Sequence, residues 1–192
     1  MINELFKKNR SHRSFIQESI SPEALEKLVS TTTFASSAKN SQSLRYTLVS
    51  DINISKKIFP FTAWAGAISW NPTIDEAPTA YIFVSSDKNV ELNPVTLGID
   101  IGIATQNMLL KATSLGINGC IIGAFNKNSV SELLNLDTDK YTPHILIALG
   151  KAKDVVEIIP GTIGNLKYSR DIENNKHFVP KLNLKDIILK TF

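Results

Sequence analysis

Between residues 97 and 115, Leu97, Ile101, Ala104, Met108, Ala112 and Leu115 recur at helical spacing, while Ile99, Ile103 and Leu110 widen the apolar stripe. The pattern predicts a long helix buried on most sides, ended by Gly116 as a left-handed residue just past its last turn. "SPEALEKLVS" predicts a second helix, with Ser21 as N-cap, Pro22 at the first helical position and Glu23 at the positive end of the dipole. Shorter helical patterns surround Ile2, Leu5 and Phe6, then Ile58, then Val130, Leu133 and Leu134; "NLKDIILK" predicts a last helix capped by Asn183. "YTLVS", "AYIFVSS", "NGCIIGAF" and "HILIALG" are nearly unbroken apolar runs with β-branched and aromatic residues, as buried strands require. "FASSAKNSQS" predicts a loop, and "FTAWAGAISWNP" fits no element.

Helices alternating with apolar strands indicate one α/β or α+β domain over residues 1–192. Residues 151–183 lack periodicity, and so long a structureless stretch inside a compact domain is expected to be functional or to wrap something. A hydrophobic share of 43% in 192 residues is enough for a core that needs no disulfide. The single Cys120, inside "GCII", reads as a buried, inert thiol. No apolar run approaches the ~18 residues of a membrane span, so a cytoplasmic protein is expected. A net charge of +3 is too small for a broad nucleic-acid face, and basic residues matter only where they cluster.

They cluster in "KKNRSHRSF". Arginine grips phosphate oxygens through paired hydrogen bonds and serine adds a neutral one, so Arg10, Ser11 and Arg13 form a candidate anion site; a solvated surface is the bland alternative. In "SSAKNSQS", Asn40 and Gln42 carry carboxamides that donate and accept together, which suits the edge of a heterocycle, although such residues also populate plain loops. Gly123, after an apolar strand, would let a flat ligand approach the backbone, or would simply make a turn. His12, His144 and His177 show no metal-ligand spacing, and there is no nucleophile–base pair, phosphate-cradling glycine loop or dinucleotide fingerprint. An enzyme of this composition would leave the hard chemistry to a cofactor.

These stretches, taken in order, resemble the nitroreductase family of flavin enzymes. "NRSHRSF" resembles the family's R-x-S-x-R-x-F opening and "ASSAKNSQS" its A-P-S-x-x-N-x-Q-P-W loop. "GIDIGIATQNMLLKATSLGINGCIIGAF" resembles its central helix and following strand, and "LKYSRD" with "HFVPK" resembles the end of a shorter branch. The resemblance implies an α+β fold with a central, mostly antiparallel sheet flanked by helices, in an intertwined homodimer that binds FMN at the subunit interface. NAD(P)H would reduce the flavin, and a small-molecule electron acceptor such as a nitroaromatic or a quinone would then take the electrons, in ping-pong order. Carried over by position, Arg10, Ser11 and Arg13 face the phosphate, while Ser37, Asn40 and Gln42 reach the flavin from the partner subunit. Gly123 and Ala124 lie near the reactive ring, and Lys167 and Arg170 complete the phosphate shell. No side chain is assigned a catalytic role, and residues 151–183 are expected to embrace the partner without a fold of their own.

Asn9 stands where the family has its first arginine, a loss of one charged hydrogen bond of roughly 1.5–3 kcal/mol. Ser36 and Ser43-Leu44 replace a proline and a Pro-Trp pair, which predicts a less rigid loop. These departures motivate an alternative, a non-catalytic FMN-binding carrier or sensor. A polyanion-binding surface at "KKNRSHRSF" is a further rival, without support from the overall charge.

Overall fold

The computed structural model describes residues 2–64 and 66–192. Its spine is β5 (Tyr141–Ala152), flanked by β3 (Ala80–Asp87) and β4 (Asn118–Ile122), with β2 (Leu44–Val49) outside β3. The short β1 (Phe15–Ile16) pairs with Ala152 and Lys151, and every pair in this sheet is antiparallel. The strands read as continuous apolar runs because helices cover both faces. On β3, Tyr81 and Phe83 join one core with Cys120, Ile122, Leu146 and Val130. Ala80, Ile82 and Val84 join another with Leu25, Leu28, Met108, Leu109 and Ala112. Each of these large side chains contributes about 1.5–3 kcal/mol on burial. Cys120 lies within the first core, where burial pushes its thiol up, away from the reactive thiolate.

The helices follow their sequence signals closely. α1 (Ile2–Lys8) leads into the basic cluster. α2 (Pro22–Val29) starts where Ser21 Oγ accepts from the Ala24 N–H at 3.2 Å. α3 (Ile52–Ile58) begins at Asp51, whose side chain accepts from Asn53 N at 2.7 Å. α4 (Pro94–Ser114) is capped by Asn93, and Gly116 takes φ +74° beyond its end, as the spacing predicts. α5 (Lys127–Leu133) buries Val130. No described helix is long and apolar enough to cross a membrane.

The carboxy-terminal part departs from expectation. Residues 151–183 do have regular structure: after the end of β5 they form a second sheet in which β6 (Val155–Pro160) runs parallel to β8 (Lys176–Lys181) and β7 (Ser169–Asp171) pairs antiparallel with β8. Among its strand residues only His177 is buried, so it carries no clean hydrophobic alternation to read. The predicted last helix is one turn, α6 (Leu184–Ile187), with Ile188 already extended. So short a helix without a buried face has little to propagate it.

Two glycines set the close packing of the spine. A Cβ at Gly150 would fall 2.6 Å from Phe15 Cδ1, and one at Gly119 would fall 2.8 Å from the Ala148 carbonyl oxygen. A side chain can swing aside, but a paired strand cannot. Gly119→Ala should therefore destabilise the fold by about 1–3 kcal/mol, read as a lower urea midpoint at unchanged slope.

Candidate functional site

α1 ends beside a cavity of about 200 Å³ lined by Asn9, Arg10, Ser11, Arg13, Tyr168 and Lys181. The basic cluster is thus folded around a hollow of small-anion size. Arg10 Nη2 donates to the Phe6 carbonyl at 2.8 Å, which caps the helix end and fixes the guanidinium. Its Nε is buried with no partner among the described residues, and burial lowers the pKa of the group. An arginine stays charged at such a cost, so an anion there would be stabilising. Ser11 is bridged to Gly119 at the head of β4, and the His12 N–H donates to the Gly119 carbonyl at 3.1 Å. Gly123 and Ala124 follow the far end of β4. Four strand residues separate the two ends by roughly 14 Å. A Cβ at Gly123 would meet no atom within 4 Å, so the backbone there faces open space. Ala124 accepts from the Ala63 N–H at 2.9 Å, which ties this end to the segment around Trp64.

Behind the cavity lies a carboxylate that sequence spacing did not reveal. The Asp154 side chain has 0% exposure and accepts from His12 Nδ1 at 2.9 Å, from Arg13 N at 3.2 Å and from Arg170 Nη1 at 3.5 Å. Burial pushes its carboxyl up, but His12, the Arg13 N–H and Arg170 together outweigh that and hold it below the ordinary value. Arg170 also donates to His177 Nδ1 at 2.9 Å and to Asn175 Oδ1, and its guanidinium lies 3.6 Å over the Trp70 ring. Because arginine cannot accept, Nδ1 of His177 is the acceptor and the ring is neutral with its proton on Nε2, which is buried without a partner among the described residues. The predicted phosphate ligand Arg170 is therefore engaged within the protein, at 3% exposure. Lys167 is exposed and lines, with Arg170, Trp70 and Tyr168, a neighbouring cleft of about 810 Å³.

The other predicted residues gather elsewhere. Ser37 and Gln42 line a separate cavity of about 280 Å³ with Leu44, Tyr46 and Asp100. Gln42 Nε2 donates to Asn40 Oδ1 at 3.2 Å, so both carboxamides sit at one loop tip. The replaced prolines predict slackness here, yet the loop is tightly wound: Lys39, Asn40 and Gln42 take φ of 52°, 53° and 45°. Left-handed backbone at non-glycine residues costs on the order of 1–3 kcal/mol each and persists where the surroundings impose it. The anchor is Asp100 on α4, a buried carboxylate that accepts the Ala38 N–H at 3.0 and 3.2 Å. Ser37 Oγ accepts the Gln42 N–H at 3.3 Å, and Arg45 Nη1 donates to the Gln42 carbonyl at 2.8 Å. Asp154 lay in no motif, and Asp100, Tyr168, His177 and Lys181 lay in quoted stretches without being singled out for the site, because each matters only through partners distant in sequence.

The family model described as the nitroreductase family matches residues 7–151. The chain belongs to the nitroreductase family. As a nitroreductase-family chain it is 26% identical over 136 residues to YdgI of Bacillus subtilis, provisionally named an NAD(P)H nitroreductase; the match covers 70% of this chain and 65% of that relative's length. Among solved structures, a provisionally named nitroreductase of Desulfovibrio desulfuricans in complex with FMN superposes at TM-score 0.67 and 22% identity, covering 80% of this chain and 87% of that one. The nitroreductase family protein of Streptococcus pneumoniae TIGR4 superposes at TM-score 0.70 and 18% identity, over 100% of both chains. The fold expectation, an α+β nitroreductase-like architecture, is thus borne out.

The neutral His177 makes this member of the family acid-sensitive. Burial lowers its pKa from 6.5 to about 4, and the charges of Arg13 and Arg170 push the same way. The unfolded chain binds a proton that the folded one refuses between those values, so stability should fall by up to about 3 kcal/mol as pH drops from 6.5 to 4. The Asp154 contribution is present above its unfolded value of 3.8 and is lost only as the pH falls further. Urea midpoints measured across this range should show the slope, and His177→Phe should flatten it.

Proposed function

We propose that this chain is an FMN-dependent NAD(P)H oxidoreductase that reduces nitroaromatic, quinone or related acceptors in ping-pong order, as a homodimer. The observation that carries the proposal is the convergence of Arg10, Ser11, Arg13 and Lys181 on one small cavity, with a buried guanidinium nitrogen that has no partner among the described residues. That cavity stands at one end of β4, and the open backbone of Gly123 stands at the other. A phosphate at the first and a flat ring at the second match FMN, in which a ribityl chain joins the two. Family membership and the FMN-bound relative of D. desulfuricans support the same cofactor, and the naming of YdgI supports NAD(P)H as donor.

When bound, FMN takes up a hydride from NAD(P)H and passes two electrons on to the acceptor. The protein's part is to hold and orient. Arg10 and Arg13 neutralise the phosphate, and Ser11 adds a hydroxyl contact. Lys181 supplies a charge that compensates for Asn9. Gly123 presents backbone with open space beside it, and Ala124 follows it, so that a nicotinamide and the ring can approach closely. Arg170, through its hold on Asp154 and His177, supports this shell without itself gripping the phosphate.

Two copies complete the site in this reading. Ser37 and Gln42 lie on a different cavity from the phosphate grip, and Asn40 and Gln42 are exposed at the loop tip, free to meet a neighbour. Val95 and Ile99 on α4, at 74% and 58% exposure, offer an apolar face, and Leu189 beyond α6 is 95% exposed. The segment after β8 embraces the second copy, which buries these residues.

Purified protein should sediment as a dimer, take up FMN with a yellow flavin spectrum, and bleach anaerobically with NADH or NADPH. Uptake without bleaching by either nucleotide would support the carrier reading over the reductase. Arg13→Ala should weaken FMN about ten- to hundredfold, the loss of one charged hydrogen bond, as measured by calorimetry.

A further inference from the structure

We propose that Asp154 is a positioning residue for the phosphate grip, holding Arg13 in place through a closed ring of contacts. The inference rests on the phosphate reading of the Arg10–Ser11–Arg13 cavity given above. Asp154 does not line that cavity; with His12 it borders the neighbouring cleft, its carboxylate fully covered. Its carboxylate accepts the backbone N–H of Arg13 at 3.2 Å and so fixes where the Arg13 side chain begins. The guanidinium then lies 5.2 Å from the centroid of the Tyr168 ring. Tyr168 packs on His177 at 5.3 Å between centroids, and its hydroxyl accepts the Ala67 N–H at 3.3 Å. His177 accepts from Arg170 at 2.9 Å, and Arg170 returns to Asp154 at 3.5 Å. The ring of contacts is therefore Asp154, Arg13, Tyr168, His177, Arg170 and Asp154 again. His12 Nδ1, at 2.9 Å from the carboxylate, pins the adjacent residue as well.

A carboxylate beside an anion site is a paradox in purely electrostatic terms. Its negative charge lowers the potential that the phosphate meets, and removing it should tighten anion binding. It benefits phosphate only if the geometry it imposes outweighs the field it cancels. A long arginine side chain in water has many rotamers, and ordering it on binding weakens a ligand. Arg13 is held at its backbone by Asp154 and at its head by Tyr168, so most of that ordering precedes ligand. The two views predict opposite signs for one isosteric, charge-removing change, and that makes the inference decidable.

The full-length protein, stripped of flavin, would be titrated with FMN and with riboflavin, which lacks the phosphate, before and after Asp154→Asn. We expect the preference for FMN over riboflavin to fall at least about tenfold in the variant, with riboflavin affinity unchanged within about twofold. A merely structural role would weaken both ligands together and leave their ratio intact, which overturns the inference. A preference that rises would show the field to be dominant and would overturn it too. Wild-type protein without any preference for FMN removes the phosphate reading itself, a result distinct from either. Should Asp154→Asn not fold, Tyr168→Leu tests the other brace: it leaves the carboxylate in place and should cost the same selectivity, and selectivity retained in it rejects the ring of contacts.

Discussion

A carboxylate with no exposure has to be surrounded by donors, or the fold that buries it fails. Asp154 meets that requirement with His12, the backbone of Arg13 and the guanidinium of Arg170. These donors come from the segment after α1 and from β7, while the acid itself sits in the connection between β5 and β6. One buried charge thus joins the amino-terminal basic cluster to the carboxy-terminal sheet. At that junction Arg170, backed by His177, answers the charge, whereas the side chains of the central sheet answer one another's apolar surface.

That difference also decides what was legible in the sequence. β3 and β5 are sandwiched between helices, so Ala80 to Val84 and Leu146 to Leu149 had to be apolar and announced themselves. The far end of α4 could be placed almost to the residue because Gly116 marks it, whereas the Asn93 cap at its start was not among the signals read. β6, β7 and β8 could not, since they are short and only His177 among their residues is buried, so no clean alternation marks them. Short strands with lysine, histidine and proline in them look like loop until their pairing partner is known. The final helix failed for the converse reason: "DIILK" has helical composition, but no described part of the chain lies against it, and its apolar side chains stay exposed.

The candidate site divides along the same line. Arg10, Ser11 and Arg13 are contiguous, and a chain segment that turns around a cavity keeps its residues together. Asn40 and Gln42 were visible as carboxamides, but their left-handed backbone was not, because it is imposed by Asp100 from α4, far along the chain. Arg170 was visible as a cation and its partners were not, so its engagement with Asp154 and His177 emerged only from the fold. Residue type announces chemistry; burial decides whether that chemistry is available.

β4 has a further implication of its own. Ser11 is stitched to its first residues and Gly123 opens beyond its last, so in the proposed reading the strand sets the distance between phosphate and ring. Inserting two residues would keep every side chain on its proper face while moving the far end by roughly 7 Å. A molecule matched to the present spacing would then touch only one end. In that reading the number of residues in this short strand is a dimension of the ligand, alongside the charges at its head.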